Sequence, residues 1–145
     1  MAKREARKRE VVSRLSEAEV RPTRQRMLVL DALASERQDA TAQEIYASLR
    51  SRGERVGLAT VYRTLALLSE RNVVDELVHR PGQNSYRLCS PGHHHHLVCS
   101  QCHRVEELDG CEIEAWLVQA SSSRGFVPTS HSLEVLGVCE GCRNG

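Results

Sequence analysis

Apolar residues recur at helical spacing in three segments of the first half of the chain. The first segment follows Thr23 and runs to about residue 35, and the second follows Thr41. Thr41 and Glu44 have the spacing of a capping box, which satisfies backbone N–H groups where a helix begins. The pattern therefore predicts three amphipathic helices. The third runs from Leu58 to about Arg71, with Leu58, Val61, Leu65 and Leu68 on one face and Thr60, Arg63, Thr64 and Arg71 on the other.

A β-hairpin is predicted directly after the third helix. Residues 73–79 and 85–89 have the character of strands, and the sequence Arg80-Pro81-Gly82-Gln83-Asn84 between them is typical of a turn. Three helices followed by a hairpin is the order of a winged helix, in which the last helix enters the major groove of DNA. Core packing alone explains each helix taken singly, so only the ordered set with its basic last helix favours DNA binding.

The segment Ser90-Pro91-Gly92 has the composition of a hinge. Beyond it, the pattern predicts short strands at residues 94–98, 104–108 and 131–138, and a helix from residue 111 to about residue 122. We therefore predict an α+β protein with two domains. Their boundaries are residues 1–89 for a winged-helix DNA-binding domain that includes a charged N-terminal extension at 1–20, residues 90–92 for the hinge, and residues 93–145 for a small metal-binding α/β domain.

Composition divides the chain at the same place. Lys and Arg outnumber Asp and Glu in residues 1–88, whereas acidic residues dominate residues 89–145, which also hold every Cys and every His except His79. A basic half suits a polyanionic partner, although the excess is modest, and an acidic half rich in His and Cys suits cations. The N-terminus lacks the apolar run of a secretory signal, and no stretch approaches the roughly 18 apolar residues of a membrane span. We therefore expect a cytoplasmic protein whose cysteines bind metal rather than form disulfides.

Two CxxC pairs, Cys99 with Cys102 and Cys139 with Cys142, give the strongest chemical signal in the sequence. Each pair presents two thiolates from one tight turn, and two pairs complete a tetrahedral sulfur shell around zinc. Such a site would brace a domain with little aromatic core, since aromatic residues are only 3% of the chain. The alternative interpretations are unconnected buried thiols and a redox CxxC. Cys111 belongs to neither pair and is predicted to be a spare thiol.

Four consecutive histidines, His93 to His96, form the second signal. Successive side chains of a strand face opposite sides, so His93 and His95 would share one face, and His94 and His96 the other. The run can therefore serve two metal ions, each of which needs two further ligands for tetrahedral zinc. The nearby candidates are Asp75, Cys89, Glu114 and His131. The alternatives are a purification tag, which would sit at a terminus, and a solvated cluster without a specific metal.

Several motifs together resemble one family of bacterial metalloregulators. They are RPTRQR at residues 21–26, GLATVYRTLALL at 57–68, SYRLC at 85–89, HHHHLVCSQC at 93–102 and the closing CxxC. This combination is similar to the Fur family, and within it to the zinc uptake regulators of actinobacteria. The resemblance implies a C-terminal dimerisation domain and a zinc-loaded homodimer that represses zinc uptake genes by binding palindromic operator DNA. It covers residues 21–142, so it implies nothing about the charged extension before Arg21.

The resemblance also assigns three zinc sites to each subunit. It implies a structural zinc on Cys99, Cys102, Cys139 and Cys142. It implies a regulatory zinc on a hinge set of Asp75, Cys89, His94 and His96, and an additional zinc on His93, His95, Glu114 and His131. For DNA, it implies base and backbone contacts from Tyr62 and Arg63, although Tyr62 could instead cover the edge of the core. We further expect Thr60 to lie on the same recognition surface and Arg24 and Arg26 to contact phosphate.

Two other classes of function compete with this interpretation. A zinc-dependent hydrolase would need an open coordination position for water beside a general base, and it is disfavoured because each predicted site has four ligands and no HExxH motif occurs. The closer alternative is a Fur-family sensor of iron, manganese, nickel or peroxide. A thiolate, two imidazoles and one carboxylate suit tetrahedral zinc better than a hard octahedral metal, which favours oxygen ligands.

Overall fold

The computed structural model describes residues 2–36, 38–88, 90, 92–109 and 112–145. The chain divides into two compact units, residues 1–91 and 92–145. Each unit combines helices with its own three-stranded sheet. The predicted α+β class is thereby confirmed. The segment on which we placed the hinge includes Pro91, which lies outside the described residues.

The first unit has the order helix, helix, strand, two helices and hairpin. Its elements are α1 (Ala2–Glu17), α2 (Arg24–Ser35), β1 (Ala40–Thr41), α3 (Ala42–Ser51), α4 (Leu58–Glu70), β2 (Asp75–Arg80) and β3 (Gln83–Arg87). The strands form an antiparallel sheet in the order β1-β3-β2. Helices α2, α3 and α4 followed by the β2–β3 hairpin are the three helices and hairpin predicted from the sequence, and we call this hairpin the wing.

Side chains fix the starts of two of these helices. The Thr23 hydroxyl accepts a hydrogen bond from the backbone N–H of Arg26, which caps α2. The predicted capping box is confirmed, because the Glu44 N–H donates to the Thr41 hydroxyl while the Thr41 N–H donates to the Glu44 carboxylate. These bonds satisfy N–H groups that have no partner within the helix. Helix α3 then ends before Gly53, whose φ of +76° is the left-handed conformation common after a helix C-terminus.

The charged N-terminal extension forms helix α1, which packs within the first unit. Val11 and Leu15 of α1 are buried, as is Val20 beyond it, and all three belong to the same hydrophobic core as α2, α3 and α4. Val11 and Leu15 are four residues apart, so they lie on one face of the helix. A hydrogen bond also joins α1 to α2: the Arg7 guanidinium donates to the Ser35 hydroxyl across 2.6 Å. Because most residues of this segment are charged, the sequence pattern did not indicate its apolar face.

One position on α4 differs from the prediction. Thr64 is buried together with Val61, Leu65 and Leu68, whereas the sequence placed it on the polar face. The helical period of 3.6 residues brings positions 61, 64, 65 and 68 onto one stripe, so Thr64 belongs to the core side. The exposed surface of α4 therefore consists of Tyr62, Arg63 and their neighbours.

The second unit has a mixed sheet. Its elements are β4 (His94–Cys99), β5 (Val105–Asp109), α5 (Glu112–Ser122), β6 (Glu134–Gly137) and α6 (Glu140–Arg143). The strand order is β5-β4-β6, with β4 antiparallel to β5 and parallel to β6. The strand predicted from residue 131 begins later, at Glu134, which leaves His131 in the segment before it. The predicted start of the helix at Cys111 lies outside the described residues.

The core of the second unit is small. Among its described residues, the buried apolar side chains are those of Val98, Cys99 and Val105, whereas the hydrophobic core cluster of the chain lies in the first unit. Many of its apolar side chains are exposed, including Ile113, Trp116, Val118, Phe126, Val127, Leu136 and Val138.

None of the described helices of either unit is long and apolar enough to cross a membrane.

Candidate metal centres and recognition helix

Four cysteines converge at one end of the second sheet. Cys99 ends β4, Cys102 lies in the turn that follows, Cys139 caps α6 and Cys142 lies within it. The sulfur atoms of all four lie within 4.8 Å of one another, and those of Cys102 and Cys139 are 3.7 Å apart. Zinc bonds of about 2.3 Å in a tetrahedron put neighbouring sulfur atoms about 3.8 Å apart. The four thiols therefore have the spacing and the chemistry of a structural zinc site.

Backbone N–H groups favour the thiolate form of Cys99, which is the form that binds metal. N–H groups of Cys102, Cys139 and Gln101 lower the pKa of Cys99 to about 5, because they stabilise its thiolate. The Cys139 N–H lies 3.4 Å from that sulfur. Hydrogen bonds of the Cys142 thiol with Cys139 and Cys102, followed by burial, instead raise the pKa of Cys142 to about 12, because they favour its protonated form. A divalent cation bound by the four sulfurs would replace the proton that Cys142 holds.

Three histidines converge on one face of the second sheet. The ring nitrogens Nε2 of His93 and His131 are 3.0 Å apart, and the ring centroids of His93 and His95 are 4.7 Å apart. Burial, followed by the charges of neighbouring histidines, lowers the pKa of His95, which favours the neutral imidazole that binds metals. The three side chains form a group able to hold a metal ion. Glu114, the fourth predicted ligand, is not part of this group and is exposed in the first turn of α5.

The alternation of the histidine run is visible in the structure. The rings of His94 and His96 pair with each other at 5.0 Å between centroids, while His93 and His95 both contact His131. The run is therefore divided between two faces, as strand geometry requires. Of the other members of the hinge set, Asp75 begins β2 in the first unit and Cys89 lies outside the described residues. The hinge set stays a prediction.

The predicted DNA contacts lie on two helices, α4 for Thr60, Tyr62 and Arg63 and the start of α2 for Arg24 and Arg26. The Tyr62 side chain is 47% exposed, and Arg63 is exposed with its guanidinium 3.4 Å from the Thr60 hydroxyl. Arg24 pairs with Glu54 at 2.9 Å, and the Arg26 guanidinium donates to the Arg21 carbonyl. Among the described residues, no carboxylate pairs with Arg63, whereas the charge of Arg24 is shared with Glu54. The surface chemistry suits a polyanion, and contact with DNA stays a prediction for all five residues.

Sequence reasoning missed a buried polar cluster in the first unit. His79 and Asp39 are in contact, with Nε2 of the imidazole 2.8 Å from a carboxylate oxygen, and Arg80 contacts the same carboxylate. The one available signal was that His79 is the single histidine outside the histidine- and cysteine-rich half. Its partner is 40 positions away in the sequence, so no local pattern connects the two residues.

Comparison with known proteins agrees with these features. The chain is 42% identical to the zinc uptake regulation protein of Mycobacterium tuberculosis over 130 residues, which are 90% of this chain and 100% of that protein. A zinc uptake regulator solved in complex with zinc and DNA has a TM-score of 0.81 at 25% identity, covering 97% of this chain and 95% of that one. The ferric uptake regulator of Francisella tularensis, solved with iron, has a TM-score of 0.69 at 27% identity, covering 85% and 94%.

The family itself follows from a match that spans most of the chain. The sequence model of the Ferric uptake regulator family matches residues 17–136, which include α4, the wing, the histidine run and the first CxxC pair. Membership places the chain among metal-responsive regulators and not among enzymes, so the hydrolase alternative is set aside. The resemblance inferred from the motifs is confirmed: the chain belongs to the Ferric uptake regulator family.

Proposed function

We propose that this protein is a zinc-responsive transcriptional repressor that binds palindromic operator DNA as a zinc-loaded homodimer and controls zinc uptake genes. The observation that carries this proposal is the donor chemistry of the second unit. Its groups of four cysteines and of three histidines offer sulfur and imidazole nitrogen, the ligands that zinc prefers. The similarity to a zinc uptake regulation protein supports the same metal. We expect such a regulator to act in the cytoplasm, where its operator lies.

The proposed regulatory metal site is the hinge set of Asp75, Cys89, His94 and His96. Asp75 belongs to the first unit, and the two histidines belong to the second. Ligands drawn from both units would tie the units together when loaded with zinc. Shifting an equilibrium between incompetent and DNA-competent forms from 1:99 to 99:1 requires about 5.5 kcal/mol of differential binding. The hinge set must therefore bind zinc weakly in the incompetent form, which is what a sensor requires.

Operator binding titrated against buffered zinc and buffered iron(II) tests the metal. Duplexes selected from a random-sequence pool by the zinc-loaded protein serve as the operator. We expect tight binding to appear as free zinc rises, because the hinge set combines a thiolate and imidazoles with a single carboxylate. Binding that responds to iron(II) and not to zinc would replace the zinc assignment with that of an iron sensor of the same family.

Arg63 provides the test of the DNA interface. An exposed arginine on the recognition helix can bond a guanine edge through two N–H groups, which is worth about 1–3 kcal/mol of discrimination. We expect Arg63→Ala to weaken binding to the selected duplex by a factor between about 5 and 150. Fluorescence anisotropy with the selected duplex measures the change. Arg71→Ala, which removes an exposed arginine at the C-terminal end of α4, is the matched control; equal losses in both variants would argue against base recognition by Arg63.

Trp116 provides the test of the homodimer. Its side chain on α5 is 63% exposed, and Ile113 and Val118 of the same helix are exposed as well. Aromatic side chains of this kind dominate interfaces, where truncation costs about 2 kcal/mol or more. We expect Trp116→Asp to weaken self-association by at least about 30-fold and to give monomers in light scattering coupled to gel filtration. Trp116→Phe should stay dimeric. A Trp116→Asp protein with unchanged dimer affinity would place the interface elsewhere.

A further inference from the structure

We propose that the buried cluster of Asp39, His79 and Arg80 is a positioning element that fixes the wing relative to recognition helix α4 and thereby sets selectivity for operator DNA. This inference rests on the proposed DNA-binding function. None of the three residues belongs to the predicted DNA contacts or metal ligands. Their contribution would be indirect, through the placement of the wing.

The cluster joins distant parts of the first unit through two buried side chains and the partly buried Arg80. The side chains of Asp39 and His79 are 0% and 1% exposed, and their contact is 2.8 Å long. Nε of Arg80 lies 3.3 Å from the same carboxylate oxygen, and Nη2 of Arg80 donates to the Asp39 backbone carbonyl across 3.1 Å. Buried charge is tolerated when it is paired and hydrogen-bonded, so the geometry of these groups is tightly constrained.

The backbone of the wing is bent to make this contact. Adjacent residues of a regular strand face opposite sides, yet His79 and Arg80 both reach Asp39. The pairing of β2 with β3 explains how. Between the pairs Leu77–Ser85 and Arg80–Gln83, β2 advances by three residues while β3 advances by two. This extra residue is a β-bulge, a feature that redirects side chains. The wing is therefore irregular at the point where it meets Asp39.

The cluster connects the wing to the helices that carry the DNA-reading surface. Arg80 donates to both carboxylate oxygens of Glu44, at 3.0 and 3.1 Å, and Glu44 forms the capping box of α3 with Thr41. Helix α3 in turn packs against α4. Asp39 itself directly precedes β1, which pairs with β3 of the wing. Contacts from one cluster thus reach β1, β2 and the start of α3.

The carboxyl groups of Asp39 and Glu44 both have lowered pKa values. Burial alone would raise the pKa of Asp39, but hydrogen bonds from Ser85 and His79 and the charges of His79 and Arg80 lower it below its usual value. For Glu44, burial likewise raises the pKa, and the Thr41 N–H and Arg80 lower it to below the usual value. The carboxylates therefore stay charged at neutral pH, and both remain able to pair with Arg80 of the wing.

The test compares two DNA duplexes for each variant of the full-length protein in buffered zinc. One duplex is selected from a random-sequence pool by the wild-type protein, and the other is a shuffled duplex of the same composition. We expect His79→Leu to bind the selected duplex at least about tenfold more weakly, the cost of one disturbed base pair, while its affinity for the shuffled duplex stays the same. Asp39→Asn should likewise lose affinity for the selected duplex and keep its affinity for the shuffled duplex.

His79→Gln keeps an N–H donor near the position of Nε2 and should restore most of the selectivity.

Asp31→Asn is the matched control, because Asp31 pairs with Arg52 in the same unit and not with His79 or Arg80. Its selectivity should equal that of the wild type. Unchanged selectivity in His79→Leu and Asp39→Asn would overturn the proposal, and so would an equal loss of affinity for both duplexes. If His79→Leu fails to fold, Arg80→Lys undergoes the same test. This variant keeps the positive charge but cannot contact Asp39 and Glu44 at the same time through a guanidinium. A wild-type protein that selects no duplex in zinc would instead overturn the proposed function.

Discussion

Replacing Cys99 with serine is expected to remove the structural zinc and unfold the second unit. Backbone N–H groups lower the pKa of the Cys99 thiol to about 5 by stabilising its thiolate, and serine provides no comparable anion. Structural zinc contributes about 10–16 kcal/mol to the folding of small zinc domains. The buried apolar side chains described in this unit are few, so packing offers little to offset such a loss. The first unit has its own hydrophobic core and should stay folded.

Zinc content by mass spectrometry and limited proteolysis measure this effect. We expect one zinc fewer per subunit and rapid cleavage within residues 92–145, while fragments of the first unit persist. Cys111→Ser is the matched control, since it removes a cysteine outside both CxxC pairs and should leave zinc content and proteolysis unchanged. A Cys99→Ser protein with full zinc content and a protected second unit would contradict a structural role for this site.

Replacing Cys89 with serine is expected to abolish zinc-dependent operator binding in a protein that stays folded and dimeric. Cys89 is the single sulfur donor of the hinge set. Mutation of residues that merely support metal ligands lowers metal affinity by about 10–100-fold, so loss of a thiolate ligand should exceed about 100-fold. The cysteines that form the four-sulfur group are separate residues, and their zinc should remain.

Anisotropy of the selected duplex, titrated against buffered free zinc, measures the midpoint of activation. For Cys89→Ser we expect a midpoint shifted to at least about 100-fold higher free zinc, or no activation within the buffered range. Light scattering should show the same dimer as the wild type. Cys111→Ser again serves as the control for a lost thiol. An unchanged midpoint in Cys89→Ser would remove Cys89 from the regulatory site.

Local patterns predicted the elements well. Helical periodicity and caps gave α2, α3 and α4, and turn residues gave the wing, because each depends on neighbours within a few positions. The pairing of alternate histidines also followed from strand geometry alone. The charged segment before Arg21 was the exception: Val11 and Leu15 are too few among charged residues to produce a clear apolar stripe, and only packing shows that they are core.

Contacts between distant positions could not be predicted in this way. The spacing of CxxC pairs does not say where they meet in space, and the wing bulge that brings His79 and Arg80 together has no sequence signature. The resemblance assigned Glu114 to the group of His93, His95 and His131; it is exposed outside that group, and its role as a ligand stays a prediction. Register and side-chain direction decide these contacts, and both are properties of the folded chain.

The histidine run has an evolutionary consequence. Leu97, Val98 and Cys99 hold the register of β4 against its neighbours. Insertion of a non-histidine residue after His96 would shift the run by one place, and every position except that of His96 would still hold histidine. Deletion of one histidine would instead empty only the position of His93. Because those two positions lie on opposite faces of the strand, a non-histidine codon inserted after His96 would impair the proposed sensor, and loss of one histidine codon would impair the other histidine site.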